Sequence, residues 1–358
     1  MKNFFKDLKV VELAGVLAGP SVGLFFAELG AEVIKIENKI TGGDVTRTWK
    51  LPSENKNNKE SAYFYSVNFF KKHIFLDLNN KKDKSICLKT IKQADILIVN
   101  YKKGDDKKLS LDYASLKKIN PKLIYAQIHG FGANDNRLAY DLILQAESGF
   151  MSMNGTSESG PLKMPVALID VLAAHQLKEA VLLALLKRAN TSKGSHVSVS
   201  LFDAAIASLV NQATNWLIAG ELPQRSGSLH PNIAPYGEIF ETKDKHQITF
   251  AIGSDKQFYH LCEYLELNSL PENKKFKNNQ ARVSNRKELY VFLNDKISLF
   301  NCKEILRFAE AKQIPCGKIR NLKEVFELKE AKKLIRTIDK KNKLQAVTSV
   351  PFYIDSSK

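Results

Sequence analysis

The chain has few of the features that mark disulfide scaffolds or metal sites. Its four cysteines, Cys87, Cys262, Cys302 and Cys316, are scattered through 358 residues and form no C-x-x-C pair. This usage is typical of reduced thiols, so we expect a cytoplasmic protein. The seven histidines are equally dispersed, and none has the spacing of metal ligands. We therefore expect no metal site.

Long apolar runs are missing as well. No segment approaches the roughly 18 consecutive apolar residues that suggest a membrane-spanning helix. The first ten residues, MKNFFKDLKV, lack the apolar stretch and small-residue cleavage site of a secretory signal. We therefore expect no membrane partner. The hydrophobic content of 44% is nevertheless sufficient for one large core or for two domains.

Acidic residues are too few to balance the basic ones, and the formal net charge is +16. Such an excess can serve nucleic acid, a membrane surface or an anionic ligand. No helix-turn-helix, zinc-finger or RNP pattern accompanies the lysines, which lie in loops such as 55–59 and 340–343. We therefore expect no nucleic-acid partner. The charge is interpreted as a solvated surface, or as attraction for a polyanionic small molecule.

Strand-like and helix-like segments alternate from the amino terminus to about residue 200. Strands are predicted at 10–13, 33–36, 74–76, 96–99 and 123–128, and helices at 21–29, 84–91 and about 173–187. Alternation of this kind predicts an α/β fold, in which a mostly parallel sheet carries helices on both faces. We therefore expect a Rossmann-like large domain over residues 1–200.

A second apolar helix follows the large domain, over about 201–218. Most of its faces are apolar, so we expect it to be buried. It is interpreted as a linker over 201–224, because the composition changes at Gly220-Glu221-Leu222-Pro223.

The remainder of the chain predicts a smaller domain. Short strands at 236–241 and 247–251, followed by lysine-bearing helices, indicate an α+β domain over 225–322. The last segment, 323–358, contains a strand-like run at 347–351. We expect this segment to return to the large domain.

Residues 8–47 have the pattern of a βαβ unit, with glycines at positions 15, 19 and 23 in the first turn. Such a unit places a helix amino terminus against a phosphate-bearing ligand. A nicotinamide or flavin dehydrogenase would also begin this way, with Glu37 on the ribose. The glycine spacing is not G-x-G-x-x-G, however, and Pro20 has no N–H to donate. Dinucleotide binding is therefore poorly supported but open.

Asp170 is the strongest candidate for covalent chemistry. It follows the apolar residues 165–169 and precedes a Leu- and Ala-rich helix. Burial raises the pKa of a carboxyl group, whereas backbone N–H donors lower it. A carboxylate stripped of water can attack a thioester. Asp is also a favoured helix N-cap, and the residues alone favour that interpretation, with the nucleophile as the alternative.

Three loops carry further polar candidates, although each is also compatible with an ordinary connection. Asn68–His73 contains the lysines Lys71 and Lys72, and Asn100–Gly104 follows a predicted strand. The third loop contains His129 and Asp141. Lysines can attract phosphate. Asp141 is expected to be a structural or hydrogen-bonding residue.

These segments, taken in their order along the chain, resemble a known enzyme family. The similarity runs from about residue 8 to 355 and includes LAGVLAGPSVG, LGAEVIKIE, GGDVTR, NYKKG, HGFG, YDLILQAESG, LLALLKR, TSKGSHVSVSLFDA, HPNIAPY and AIGSDKQF. The chain is similar in these motifs to the family III CoA-transferases, the group of formyl-CoA transferase and carnitine CoA-transferase.

The resemblance implies a reaction and a set of site residues. Asp170 would be the nucleophile that moves coenzyme A from an acyl-CoA to a carboxylic acid, through a mixed anhydride and an aspartyl-CoA thioester. Coenzyme A would be a substrate, and no other cofactor would be required. The implied contacts to coenzyme A are Val16, Leu17, Lys35, Lys71, Lys72, Asn100, Tyr101 and Lys102. The resemblance also implies an interlocked homodimer.

Some positions depart from the family pattern. Leu17 stands where a glutamine is frequent, Lys102 replaces an arginine and Lys103 a proline. A non-catalytic coenzyme A-binding homologue therefore remains an alternative. A 2-methylacyl-CoA racemase is another, but Tyr140 stands where those enzymes carry a histidine base. His129 has no assigned role, and His230 is expected to be structural.

Overall fold

The computed structural model describes residues 3–355. Its strands, in chain order, are β1 (Lys9–Leu13), β2 (Glu32–Asn38), β3 (Lys72–Leu76), β4 (Ile96–Val99), β5 (Ile124–His129), β6 (Gly155–Thr156), β7 (Gly160–Pro161), β8 (Ser195–Ser200), β9 (Tyr236–Glu241), β10 (Gln247–Ala251), β11 (Cys316–Lys318), β12 (Ile335–Asp339) and β13 (Leu344–Val347). The predicted strands at 236–241 and 247–251 are confirmed at both ends, whereas the run at 347–351 is strand only at its first residue.

The helices, in the same order, are α1 (Ala18–Glu28), α2 (Ala62–Asn68), α3 (Lys81–Lys92), α4 (Asp105–Lys108), α5 (Tyr113–Ile119), α6 (Asp141–Glu147), α7 (Phe150–Met153), α8 (Leu168–Thr191), α9 (Leu201–Ala207), α10 (Val210–Ala219), α11 (Asp255–Tyr264), α12 (Asn279–Ser284), α13 (Arg286–Ile297), α14 (Cys302–Ala311), α15 (Leu322–Glu327) and α16 (Lys329–Lys332). A 3₁₀ turn covers Val45–Thr48. Among residues 3–355, no helix combines the length and apolar character needed to cross a bilayer.

The chain forms two compact units. One contains residues 1–151, 163–223 and 333–358, and the other contains 152–162 and 224–332. In the first unit, six parallel strands lie in the order β3-β2-β1-β4-β5-β8. This is a doubly wound order, which reverses direction between β1 and β4. The prediction of an α/β fold with a parallel sheet is therefore confirmed.

Side chains of the parallel sheet alternate between two apolar cores. Val10, Ile96 and Ile98 pack with α1 and α8 on one face, whereas Val11 and Leu97 pack with α3 and α5 on the other. Since successive residues of a strand point to opposite faces, such short apolar runs supply both cores.

The second unit has its own core. Its antiparallel strands lie in the order β11-β10-β9. Apolar residues of these strands, including Phe240 and Ile248, pack with Phe258, Leu293 and Ile305 from the surrounding helices.

The predicted helix over 201–218 is two helices. Val210 has a φ of +45°, in the left-handed region, so the helical path is interrupted between α9 and α10. The expectation that this segment is buried is also wrong for the second half. Val210, Leu217 and Ile218 are 68%, 78% and 82% exposed in the single chain.

Candidate active site

A cavity of about 340 Å³ opens at the carboxyl ends of three neighbouring strands. Residues 15–18 follow β1 and line one side, 100–103 follow β4, and residues within 128–140 follow β5. Asp170 also faces the cavity. Crevices of this kind form where the strand order reverses, because the loops of adjacent strands diverge to opposite faces of the sheet.

Asp170 lies in the first turn of α8, as its third residue. The sequence placed it at or before the helix start, since the helix was predicted from about residue 173. The helix instead begins at Leu168, and Ala167 occupies the N-cap without a side-chain hydrogen bond. Asp170 is therefore not a capping residue. The helix start includes Leu168 and Ile169, the last two apolar residues before Asp170.

The Asp170 carboxyl group is nearly dry. The residue is 7% exposed, and no described residue in 3–355 donates a hydrogen bond to its side chain. Burial, together with the negative charge of Asp141, raises the pKa of Asp170 to about 7. Both effects destabilise the ionised form, because it loses hydration and faces a like charge.

Asp141 supplies the acceptor that α8 lacks at its amino end. Its Oδ1 accepts the N–H of Ile169 at 2.7 Å, and its Oδ2 accepts the side-chain amide of Gln145 at 2.6 Å. The Gln145 oxygen in turn accepts the N–H of Met164 at 2.8 Å. The YDLILQA segment therefore holds the chain on its approach to Asp170. The sequence indicated a hydrogen-bonding role for Asp141 but not its partners.

The loop after β1 reaches the cavity in a strained conformation. Val16 has a φ of +70°, which is unfavourable for a β-branched residue. Its N–H is donated to both carboxylate oxygens of Asp44, at 3.3 and 3.2 Å. The Asn100 side chain accepts the Gly15 N–H and donates to the Gly15 carbonyl. Two side chains from other loops thus hold residues 15–16 in place.

A buried network of charges lies beneath this loop. Glu12 pairs with Lys35 at 2.7 Å and with Lys71 at 2.8 Å, and Lys35 also pairs with Asp44 at 3.1 Å. Burial opposes ionisation of Glu12, but the two lysines outweigh it and lower the pKa of its carboxyl group. The glycine at position 23 makes room, because a Cβ there would overlap the Glu12 carboxylate.

The structure does not place Lys35, Lys71 or Lys72 in the lining of the cavity that contains Asp170. Lys35 and Lys71 are buried and paired within the network. Lys72 is the first residue of β3 and pairs with Glu32 at 2.6 Å. The residues before a parallel strand lie toward the amino edge of the sheet, whereas the cavity is at its carboxyl edge.

The other implied contacts do line the cavity together: Val16, Leu17, Asn100, Tyr101 and Lys102. Lys102 forms no ion pair with the described part of the chain, so its charge is available to a ligand. The Tyr101 hydroxyl is buried without a hydrogen-bond partner in residues 3–355. Tyr101 also lines a second cavity of about 220 Å³, formed mainly by residues at the carboxyl ends of β1, β2 and β3 and in the loop after β3.

The end of β5 and the loop after it contribute Arg137, which the sequence did not single out, together with His129 and Tyr140, which it did. Arg137 pairs with Asp135 at 2.9 Å and Glu147 at 2.7 Å, and its guanidinium lies 3.6 Å from the Phe131 ring centre. His129 lines the cavity from the end of β5, and burial lowers the pKa of its ring. Tyr140 is 53% exposed. No local pattern identifies Arg137, since Glu147, one of its two partners, lies ten residues away in α6.

Arg47 of the GGDVTR segment has a structural position. It donates two hydrogen bonds to Glu37, at 2.8 and 2.7 Å, and pairs with Glu60 at 2.8 Å. Its guanidinium also lies 3.9 Å from the centre of the Phe64 ring. This group fixes the loop that carries Asp44. Glu37 is therefore occupied by Arg47, which removes the ribose contact that a dehydrogenase would need.

His230 has the structural role expected of it. Its Nδ1 accepts the N–H of Asn232 at 3.1 Å, and Arg286 donates to its carbonyl. No group of three or more metal-ligating side chains occurs among residues 3–355.

Comparison with a family model matches residues 5–358 to CoA-transferase family III. A succinate–glutarate CoA-transferase of Agrobacterium fabrum is 37% identical over 325 residues, which cover 89% of this chain and 80% of the relative. An acetyl-CoA:oxalate CoA-transferase of Acetobacter aceti is 33% identical over 331 residues, covering 91% and 83%.

The fold agrees with that of a solved structure. A CAIB/BAIF family protein from Brucella suis superposes with a TM-score of 0.88 at 34% identity. The match covers 100% of this chain and 94% of that protein.

Proposed function

The chain belongs to CoA-transferase family III, and from that premise we propose that it transfers coenzyme A from an acyl-CoA to a carboxylic acid with Asp170 as nucleophile. The family predicted from the sequence is thereby confirmed.

One observation carries the role of Asp170. Its carboxyl group faces the cavity, is almost fully buried and accepts no hydrogen bond from residues 3–355. A carboxylate in water is a weak nucleophile because hydration stabilises its charge. Here that stabilisation is largely missing, and the raised pKa of about 7 corresponds to a more basic, more nucleophilic anion.

The reaction proceeds by four displacements. The Asp170 carboxylate attacks the thioester carbonyl of the donor, the C–S bond breaks, and a mixed anhydride and the coenzyme A thiolate form. The thiolate attacks the aspartyl carbonyl, which releases the donor acid and leaves an aspartyl-CoA thioester. The acceptor carboxylate attacks that carbonyl and displaces the thiolate again. The thiolate finally attacks the acceptor's acyl carbon, which gives the new acyl-CoA and the free Asp170 carboxylate.

Coenzyme A is proposed to lie along the loops after β1 and β4. Val16, Leu17, Asn100, Tyr101 and Lys102 line the cavity beside Asp170. The second cavity shares Tyr101 and offers space for a distal part of the molecule. The unpaired ammonium group of Lys102 is the contact that a phosphate would favour.

A dicarboxylic acid is the proposed acceptor class. The relatives from Agrobacterium fabrum and Acetobacter aceti are named for succinate, glutarate and oxalate. One carboxylate would react at Asp170, and the second would need a cation nearby. Lys102, Lys103 and Arg137 all line the same cavity.

An interlocked homodimer is also proposed. The exposed apolar residues Leu217 and Ile218 on α10 support it, because such side chains are normally covered in a stable soluble protein. Light scattering after size exclusion should give twice the chain mass. A monomeric mass at micromolar concentration would contradict the dimer.

The test of the mechanism is capture of the intermediate. The protein is incubated with acyl-CoA esters, quenched with hydroxylamine and digested, and the peptide with Asp170 is examined by mass spectrometry. A hydroxamate is expected on Asp170 in the wild type and not in Asp170→Asn, which should keep coenzyme A binding but lose turnover. Normal turnover by Asp170→Asn would refute the mechanism.

A racemase is the second candidate, because His129 and Asp170 line one cavity and could act as a base and an acid. Incorporation of solvent deuterium at C2 of a 2-methylacyl-CoA, without any hydroxamate, would favour it. Binding of coenzyme A with neither reaction would indicate a non-catalytic homologue.

A further inference from the structure

We propose that Asp141 is a positioning residue of the transfer reaction, which fixes the first turn of α8 and presents a negative charge to the carboxylate of Asp170. The inference rests on the proposed role of Asp170 as nucleophile. Asp141 itself lines no part of the cavity and has no direct place in the four displacements.

Asp141 caps the amino end of α8 from outside the helix. Helix α8 begins after Ala167, which has no side-chain acceptor for the exposed amides of the first turn. Asp141, the first residue of α6, accepts the Ile169 N–H at 2.7 Å. A carboxylate at this place accepts a hydrogen bond from an amide that would otherwise be unpaired. Its negative charge also interacts favourably with the positive, amino-terminal end of the helix dipole. Ile169 directly precedes Asp170, so this contact sets where the reactive side chain starts.

Gln145 holds this cap rigidly in place. Gln145, one turn along α6, is fully buried and donates to Asp141 at 2.6 Å. The same side chain accepts the Met164 N–H at 2.8 Å. The segment between Met164 and Ile169 is therefore held at both ends by one pair of side chains on α6. A nucleophile held this way loses little freedom when the donor binds.

Asp141 also presents a negative charge to the Asp170 carboxyl group. Burial and the Asp141 charge together raise the pKa of Asp170. The Tyr63 hydroxyl on α2 experiences both carboxylates. The other charged or titratable groups that line the cavity are His129, Lys102, Lys103, Tyr101, Tyr140, and Arg137 with its partner Asp135. Asp141 is the one anion among these neighbours that acts on Asp170, so its removal should make Asp170 ionise at lower pH.

The experiment compares a variant that removes the charge with one that keeps it. Asp141→Asn keeps an oxygen for the Ile169 amide but removes the charge, and its amide nitrogen cannot accept the hydrogen bond from Gln145. Gln145→Leu removes that same hydrogen bond and releases the clamp but keeps the charge, so a shift seen only in Asp141→Asn reports the charge. We expect the acid limb of the kcat/KM profile to move down by about one pH unit in Asp141→Asn. In Gln145→Leu we expect a lower kcat with the limb unmoved. Glu179→Gln is the matched control, since this exposed carboxylate lies about 13 Å further along the same helix.

The outcomes distinguish a failure of the proposed role of Asp141 from a failure of the transfer mechanism. An unmoved limb in Asp141→Asn, in an active and folded enzyme, would overturn the inference while leaving the transfer mechanism intact. Absence of transfer by the wild type with every donor would instead overturn the proposed function. If Asp141→Asn does not fold, Asp141→Ser takes its place, because a serine hydroxyl also accepts a helix amide. The same one-unit shift is expected there, and its absence refutes the proposal.

Discussion

Replacing Asp170 by asparagine should make the protein more stable at neutral and alkaline pH. The carboxyl group is 7% exposed and accepts no hydrogen bond from the described residues. Ionising such a group in the folded state is unfavourable, whereas the unfolded chain hydrates it freely. Asparagine has nearly the same shape and carries no charge. The proposed nucleophile would thus lower stability in the pH range where it ionises, as is frequent for catalytic residues.

The magnitude follows from the two pKa values. Asp170 has a pKa of about 7 in the folded protein against 3.8 for an unperturbed aspartate. The difference of about three units corresponds to roughly 4 kcal/mol at about 1.36 kcal/mol per unit. The folded state binds this proton more tightly than the unfolded state. The penalty is therefore fully present above pH 7, shrinks as the pH falls, and is absent below about pH 4.

The assay is urea unfolding of the wild type and Asp170→Asn between pH 4 and pH 8.5, at one protein concentration because self-association would add to stability. We expect the advantage of the variant to grow by about 2–4 kcal/mol from pH 4 to pH 8. Glu179→Gln, an exposed carboxylate change on α8, should show no such growth. A constant difference between wild type and Asp170→Asn across this range would refute the assigned environment of Asp170.

Three further predictions concern the charges that support the cavity. Gly23→Ala should lower the free energy of unfolding by about 2–4 kcal/mol in urea titrations, because the methyl group displaces Glu12 from its buried ion pairs. The opposing gain in helix propensity is only about 1 kcal/mol. Gly317→Ala, with no atom within 4 Å of the added carbon, should lose much less. Arg47→Lys should cost about 2 kcal/mol by the same method, since lysine cannot make both hydrogen bonds to Glu37. Burial opposes ionisation of Glu37, but hydrogen bonds from Arg47 outweigh it and hold the pKa of Glu37 well below 4.5. The free energy of unfolding should therefore fall as the pH drops below about 4.5, and this fall should be less steep in Arg47→Lys.

The loops at the cavity were predictable because their positions follow from the strand order along the chain. Apolar runs of four to six residues identify β1, β4 and β5, and the residues after parallel strands meet at one edge. The family resemblance implied Val16, Leu17, Asn100, Tyr101 and Lys102 as site residues, and the structure places them together at this edge. The resemblance also implied Asp170 as the nucleophile, but its place within the helix was not predicted.

The lysines show what the sequence does not reveal about ion pairs. Lys71 and Glu12 are 59 residues apart, and neither residue's surroundings in the sequence indicate a buried pair. Lys35 lies in an interior strand that is covered on both faces, so even a charged side chain there is buried. A pattern of residue types reports on one segment, and an ion pair depends on two segments meeting in three dimensions.

The sequence by itself determined the α/β fold, the family and the segments that surround the cavity, because these depend on local periodicity and on motifs in order. Only the tertiary structure decided that Lys35 and Lys71 face inward, that Asp44 holds Val16 in a strained conformation, and that α10 is exposed in the single chain. It also joined Asp141 to the helix that carries Asp170. Hydrogen bonds and ion pairs act over a few ångströms, so their partners are known only once the chain has folded.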